Sequence, residues 1–329
     1  MKQVSMTRRQ ALALGLGLSG ALYPVESTAQ APKTVGALWT QAPRQVRAPV
    51  AAFHDGLQAL GYVEGRTVRF ITRYAEEQAA LADSAMNLVG HRPDVIVTVG
   101  EGAARALNEA GAGVPIVMAV SADPVGAGLA MSLQRPGGNV TGLSAASADI
   151  AARRFALLRR AFPRVLRVAI LWNATDPLKR LDLTQTQAAA GTVGMTVLPI
   201  GVYGPDEFES AFADIAKGGA DALITLADPM TTDRRDQIVA LAATARLPAL
   251  YERRDFVEAG GLMYYGPSLS DLFRRAAGYV DRILKGARPG DLPIEPATKF
   301  DLVVNGTAAK ALRVVIPPPV LKEAAEILP

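Results

Sequence analysis

Acidic, amide, hydroxyl and aromatic side chains stand at the ends of short apolar runs along this 329-residue sequence. In the first half these are Trp39 and Thr40 closing TVGALWT, Glu101 after DVIVTVG, and Ser121 and Asp123 after PIVMAV. In the second half they are Asn173 closing RVAILWN, Asp228 closing DALITLAD, then Tyr251, Tyr264 and Tyr265. Asn139 and Thr141 lie between the halves in QRPGGNVTG. Carboxylates can hold an ammonium group, hydroxyls and helix N-termini can hold a carboxylate, and aromatic faces can stack on a ligand. The set fits an amino acid or a similar small zwitterion. Each residue also has a plainer reading as a strand-end cap, a turn former or half-buried core. Asp123-Pro124 and Asp228-Pro229 in particular are good turn chemistry.

Catalytic readings find less support. The only histidines are His54, inside an expected helix, and His91, in a turn before an expected strand. Neither has ligand-spaced partners, so no metal site or histidine-based triad is expected. The absence of cysteine removes disulfides, thiolate metal sites and cysteine nucleophiles. No G-x-S-x-G or P-loop pattern occurs. Gly100-Glu101-Gly102-Ala103-Ala104-Arg105 follows an expected strand and opens an expected helix, with Asp123 after the next strand. This partly mimics a dinucleotide fingerprint and keeps an exported nicotinamide-dependent oxidoreductase as an alternative. The third glycine is missing, however, and Glu101 would meet a pyrophosphate unfavourably. The chain is therefore expected not to be an enzyme and to carry no cofactor. A formal charge of +4, with Lys and Arg in scattered pairs such as Arg153-Arg154 and Arg274-Arg275, argues against a nucleic-acid partner.

The elements that must position these side chains follow from periodicity. Half the residues are apolar and 20% charged, which is globular composition. Strands are expected over 34–40, 67–74, 94–100 and 115–120, with helices over 46–60, 76–90 and 103–110 between them. The run 94–100 is continuously apolar, as a strand buried on both faces requires. The turn cluster 134–142 is expected to end one sheet. The rhythm then restarts after a helix around 151–161, with strands over 167–173, 192–200, 221–228, 247–251 and 261–265. A long amphipathic helix over 268–285 and a strand over 298–305 follow. Alternating strands and helices predict an α/β protein of two doubly wound parallel-sheet lobes joined by a hinge. In such sheets ligands bind beyond the carboxyl ends of the strands, which is where the candidates stand.

The N-terminus reads as an export signal. Lys2, Arg8 and Arg9 precede an apolar run over 11–23, and Ser27-Thr28-Ala29 offers small residues for cleavage near Ala29. That run is shorter than the roughly 20 residues a membrane-spanning helix needs. Thr7-Arg8-Arg9-Gln10-Ala11-Leu12 also resembles a twin-arginine signal. A periplasmic location is expected.

Several motifs carry a resemblance. Gly61-Tyr62-Val63-Glu64-Gly65, Asp123-Pro124-Val125-Gly126 and Arg135-Pro136-Gly137-Gly138-Asn139-Val140-Thr141-Gly142 are among them. So are Arg246-Leu247-Pro248, Gly260-Gly261-Leu262-Met263, Tyr265-Gly266-Pro267 and YVDRILKG at 279–286. Together they resemble substrate-binding proteins of ABC importers, of the tryptophan/tyrosine type. The resemblance implies the type I periplasmic-binding fold, with two Rossmann-like lobes joined by three crossovers. Lobe 1 would span 33–143 plus about 267–295, and lobe 2 would span 144–266 plus about 296–329. It implies a monomer that captures a small ligand in the interlobe cleft and docks on a membrane permease. By position it points to Asp123, Thr141, Asn173, Asp228, Tyr251 and Tyr265 as pocket residues. Glu101 stands where the family usually has Thr or Ser, and Tyr264 replaces a usual Ser. Glu101 is expected to favour a cationic or amine-bearing ligand. The same fold also serves sensory ligand-binding proteins, a further alternative.

Overall fold

Apolar runs bounded by turn residues form strands buried on both faces, and the amphipathic stretches between them form helices that cover those faces. The computed structural model describes residues 31–329 apart from 76, 112 and 146–148, with the backbone alone at 44, 45, 78 and 178. The export segment expected over 1–29 lies outside the described residues.

The first half alternates β1 (Lys33–Trp39), α1 (Pro43–Ala59), β2 (Val68–Tyr74), α2 (Leu81–Gly90), β3 (Val95–Val99), α3 (Glu101–Ala110) and β4 (Ile116–Ser121). β5 (Val140–Ser144) follows and pairs in parallel with β4. The turn cluster at 134–142 therefore does not end the first sheet, as its composition had indicated. It returns the chain for one more strand. Gly142 makes this possible: its φ is +140°, and a Cβ there would lie 2.1 Å from the Met118 carbonyl oxygen.

The second half begins with α4 (Ile150–Ala161), β6 (Arg167–Asn173), α5 (Pro177–Thr192), β7 (Thr196–Val202), α6 (Phe208–Lys217) and β8 (Ala222–Thr225). It continues with α7 (Pro229–Asp233), α8 (Arg235–Thr244), β9 (Ala249–Tyr251), α9 (Arg254–Glu258) and β10 (Met263–Pro267). The chain then makes α10 (Leu269–Leu284), β11 (Glu295–Pro296), β12 (Phe300–Asn305), α11 (Gly306–Leu312), α12 (Pro318–Glu323) and β13 (Glu326–Leu328).

Two sheets result, a six-stranded one in the order β11-β5-β4-β3-β1-β2 and a seven-stranded one in the order β13-β12-β10-β9-β8-β6-β7. The strand pairs are parallel except β10 with β12. The architecture is the two-lobed α/β fold of the type I periplasmic-binding class.

α10 belongs with the first sheet. Its buried stripe includes Leu272, Phe273, Ala276, Ala277, Val280 and Ile283, spaced at three and four residues as one helix face requires. It packs on α1 at Gly56, where a Cβ would come within 2.9 Å of the Ala277 Cβ. Glycine is thus what lets the two helices approach.

The chain passes between the sheets after Ser144, after Pro267 and after Pro296. Each departure is from the carboxyl end of a strand. The crossings are short, and two are tied together by the Ser268 N–H, which donates to the Lys299 carbonyl at 2.9 Å. The carboxyl ends of the two sheets are consequently held next to each other.

Candidate functional site

On the first sheet, β3 stops at Val99, and Gly100, with φ +81°, turns the chain into α3. Glu101 is the first residue of that helix. Its Oε1 accepts hydrogen bonds from the backbone N–H groups of Ala122 at 2.5 Å and Asp123 at 2.8 Å. The carboxylate thus fastens the ends of β3 and β4 together. A dinucleotide fingerprint would leave this helix start open to a pyrophosphate, whereas here it already carries an acid. Asp123 is exposed and its Oδ1 accepts from the Gly126 N–H at 2.8 Å. Ser121 is buried and its hydroxyl donates to the Leu143 carbonyl at 2.9 Å, so it braces β4 against β5. Thr40 is half-buried beyond β1, and the Oε1 of the adjacent Gln41 is buried without a hydrogen-bond partner.

On the second sheet the polar groups at the strand ends form one connected chain. Asn173 ends β6; its side-chain oxygen accepts from the Thr175 N–H at 2.9 Å, and its Nδ2 donates to Asp228. Asp228 is buried and caps α7, its Oδ1 accepting from the Thr231 N–H at 2.8 Å in a reciprocal capping box. The neighbouring Ala227 N–H donates to Glu252 Oε2 at 2.9 Å, and Glu252 Oε1 pairs with the Arg154 guanidinium. Arg154 Nε donates to the Tyr265 carbonyl at 3.1 Å. The ends of β6, β8, β9 and β10 are therefore linked laterally through α4. No lysine or arginine among the described residues pairs with Asp228, Glu101 or Asp123. The one buried carboxylate of the three, Asp228, is held by backbone and amide donors alone.

Several expected site residues lie elsewhere. Trp39 is the last residue of β1 but points into the first core, 1% exposed, with its ring 5.2 Å from Phe273 and 6.3 Å from Phe53. Tyr251 stacks on Phe256 at 4.8 Å in the core beside α9. Tyr264 is buried on that same side, and its hydroxyl donates to the Pro267 carbonyl at 3.1 Å. Burial pushes both phenols above their ordinary pKa. Thr141 is fully buried within β5 and donates to the Leu292 carbonyl at 2.7 Å. Asn139 precedes β5, at the opposite end from the crossings, and its Nδ2 donates to the Val114 carbonyl at 2.9 Å. Both asparagine and threonine brace a sheet and line no crossing. Tyr265 is half-buried on the α4 face of the second sheet, stacked 5.9 Å from Phe300.

The sequence reading missed Gln41, Glu252 and Arg154. Glu252 directly follows Tyr251, so the strand-end rule reaches it. Arg154 occupies a position on the buried stripe Arg154, Leu157, Leu158 and Ala161 of α4, a signal hidden by treating the pair Arg153-Arg154 as one solvated face. Buried polar side-chain atoms left without a partner among the described residues are Gln41 Oε1, Trp172 Nε1 and Thr225 Oγ1. All three belong to the carboxyl-end regions of β1, β6 and β8. Among the described residues no group of His, Cys, Asp and Glu side chains could hold a metal ion, and no helix is long and apolar enough to cross a membrane.

The chain is similar to a tyrosine-binding protein of Clostridioides difficile (strain R20291), at 24% identity over 262 residues, 79% of this chain and 75% of the relative. It is also similar to an ABC domain from Streptococcus pneumonia solved in complex with L-Trp. That match has 26% identity and a TM-score of 0.73, covering 90% of this chain and 100% of the other. A ligand-free, open substrate-binding protein with adhesive properties from Clostridium difficile shares the fold. Its TM-score is 0.77 at 21% identity, over 90% of this chain and 99% of that one. Residues 45–328 match the family described as ABC transporter substrate binding protein, and the chain belongs to that family.

Proposed function

We propose that this protein is the exported solute-binding component of an ABC importer, closing on an amine-bearing small molecule of the amino-acid class. The two lobes, 33–143 with 267–295 and 144–266 with 296–329, would close across the strand ends and present the loaded form to a membrane permease. The observation that carries this reading is a set of charged and polar groups, at the carboxyl ends of both sheets, that lack counterparts. Gln41 Oε1 and Thr225 Oγ1 are buried without partners, one on each sheet. The Glu101 and Asp228 carboxylates, also one on each sheet, have no cation of their own. A ligand ammonium and carboxylate would supply what these groups lack. Contacts to both lobes are what a ligand needs in order to favour the closed form. The L-Trp-bound structure and the tyrosine-binding relative support an amino acid as cargo. Export is supported by the charged, apolar and small-residue order of 1–29.

A thermal-shift screen of the purified protein against amino acids, amines, aromatic acids and nicotinamide cofactors tests the reading. A ligand that binds only the native state adds about 2.7 kcal/mol at a hundredfold excess over its Kd. A shift with amino acids or amines supports a binding protein. A shift with nicotinamide cofactors alone would replace it with the oxidoreductase alternative.

A further inference from the structure

Residues 149–167 hold six arginines against a single acid, Asp149, and two of them, Arg153 and Arg160, line a cavity on one flank of the second lobe. We infer that this flank is a second binding site, separate from the strand ends, for a small molecule that carries an aromatic ring and a carboxylate. That cavity of about 410 Å³ runs beside α4, within the size range of small-ligand sites, roughly 300–1,000 Å³. Its floor is the stacked pair Tyr265 and Phe300, with centroids 5.9 Å apart and planes at 19°. Both rings are half-buried and line the cavity, where they offer aromatic surface to a ligand. One wall is the α4 stripe of Arg153, Leu157 and Arg160, and Glu323 of α12 stands at the far end. The two arginines are seven residues apart, about 10.5 Å along the helix, so one marks each end of the cavity.

Each guanidinium is held in an ion pair at the surface. Arg153 lies 5.0 Å over the Phe300 ring and pairs with Asp149, whose side chain is 55% exposed. Arg160 pairs with Glu323, whose side chain is 54% exposed. Ion pairs this open to solvent are weak, so either arginine can turn to a ligand carboxylate and bind it in bidentate fashion. The chemistry separates this site from the strand ends: there carboxylates without a cation select an ammonium, and here arginines in exposed ion pairs can exchange their acid for a ligand carboxylate.

3-Phenylpropionate, an aromatic carboxylate without an amine, is the probe. Titrated into the purified protein and followed by calorimetry, it should bind saturably at one site. Arg153→Gln and Arg160→Gln should each weaken it roughly tenfold, the loss of a hydrogen bond to a charged group. Ala156→Trp, which fills the cavity and leaves both arginines in place, should abolish binding. Asp228→Asn and a saturating amino acid should leave the affinity unchanged, and 3-phenylpropanol should bind at least tenfold more weakly than the acid. Absence of saturable binding overturns the inference. So does an affinity insensitive to the arginine and Trp substitutions, or displacement of the probe by an amino acid or by Asp228→Asn. Circular dichroism on each variant separates a lost site from a lost fold.

Discussion

Glu101 does two things with one carboxylate. Its Oε1 accepts from the backbone N–H groups of Ala122 and Asp123, while its charge stands uncompensated at the start of α3. The two contributions separate by substitution. Glu101→Gln keeps an accepting oxygen and removes the charge, so stability should change little while affinity for an amine-bearing ligand falls about tenfold, the loss of one charge-assisted contact. Glu101→Ala removes both, and should in addition cost about 1 kcal/mol in urea unfolding, modest because Ala122 and Asp123 are exposed and water can replace the carboxylate. Equal ligand affinity in the Gln variant, measured by calorimetry, would sink the electrostatic role. The aromatic candidates show where residue-level reading stops. Trp39 and Tyr251 end strands as the sequence indicates, yet each ring turns into a core because parallel strands are covered on both faces. Position along a strand is readable from apolar run length, but the direction of the last side chain depends on register with neighbours that only the sheet supplies.

At the scale of elements, α4 organises the second lobe through Arg154. The pair with Glu252 is mostly buried, its side chains 10% and 16% exposed. Glu252 in turn holds the Ala227 N–H beside Asp228. Removing one member of such a pair leaves the other charge without a partner. Arg154→Met should therefore destabilise the protein by about 3 kcal/mol, and Glu252→Gln should cost less because the amide still accepts from Ala227. The double variant Arg154→Met with Glu252→Gln should be less damaged than the sum of the two, which urea midpoints will show. Strict additivity would mean that the residues act independently and that the lateral link is incidental. The alternation of strand and helix is legible where apolar runs are five to seven residues long, as in β1, β3 and β6, and where a helix carries a clear stripe, as in α10. β5 was not legible, since it follows a Pro/Gly/Asn cluster and its own Gly142 reads as a turn. What identifies it is partnership with β4 across the sheet, which composition cannot reveal.

For the molecule as a whole, the crossings decide how the lobes can move, and charge is concentrated there. Asp271 in the first turn of α10 pairs with Lys299 at 2.8 Å, and Arg275 pairs with Glu295 at 2.7 Å. Two crossings are thus clamped by helix α10 as well as by the Ser268 to Lys299 backbone bond. Asp301 stands just past the third crossing, opposite Gly266 in the β10–β12 ladder. Burial holds its carboxyl above the ordinary 3.8; a hydrogen bond with Ser268 and the charge of Arg254 pull it down, and nearby Asp271 pushes it up. Below 3.8 the group is protonated in both folded and unfolded chains. As pH rises, the unfolded chain releases its proton first, and the native state is left holding one at a cost. The stability tied to this group is therefore complete at low pH and is lost as pH climbs through the raised native value. Asp301→Asn, which stays neutral and still accepts from Ser268, should match the wild type in urea stability at pH 3 and exceed it at pH 7. If the gap between the two proteins is the same at both pH values, Asp301 is not a strained carboxylate and the crossing gains nothing from its protonation.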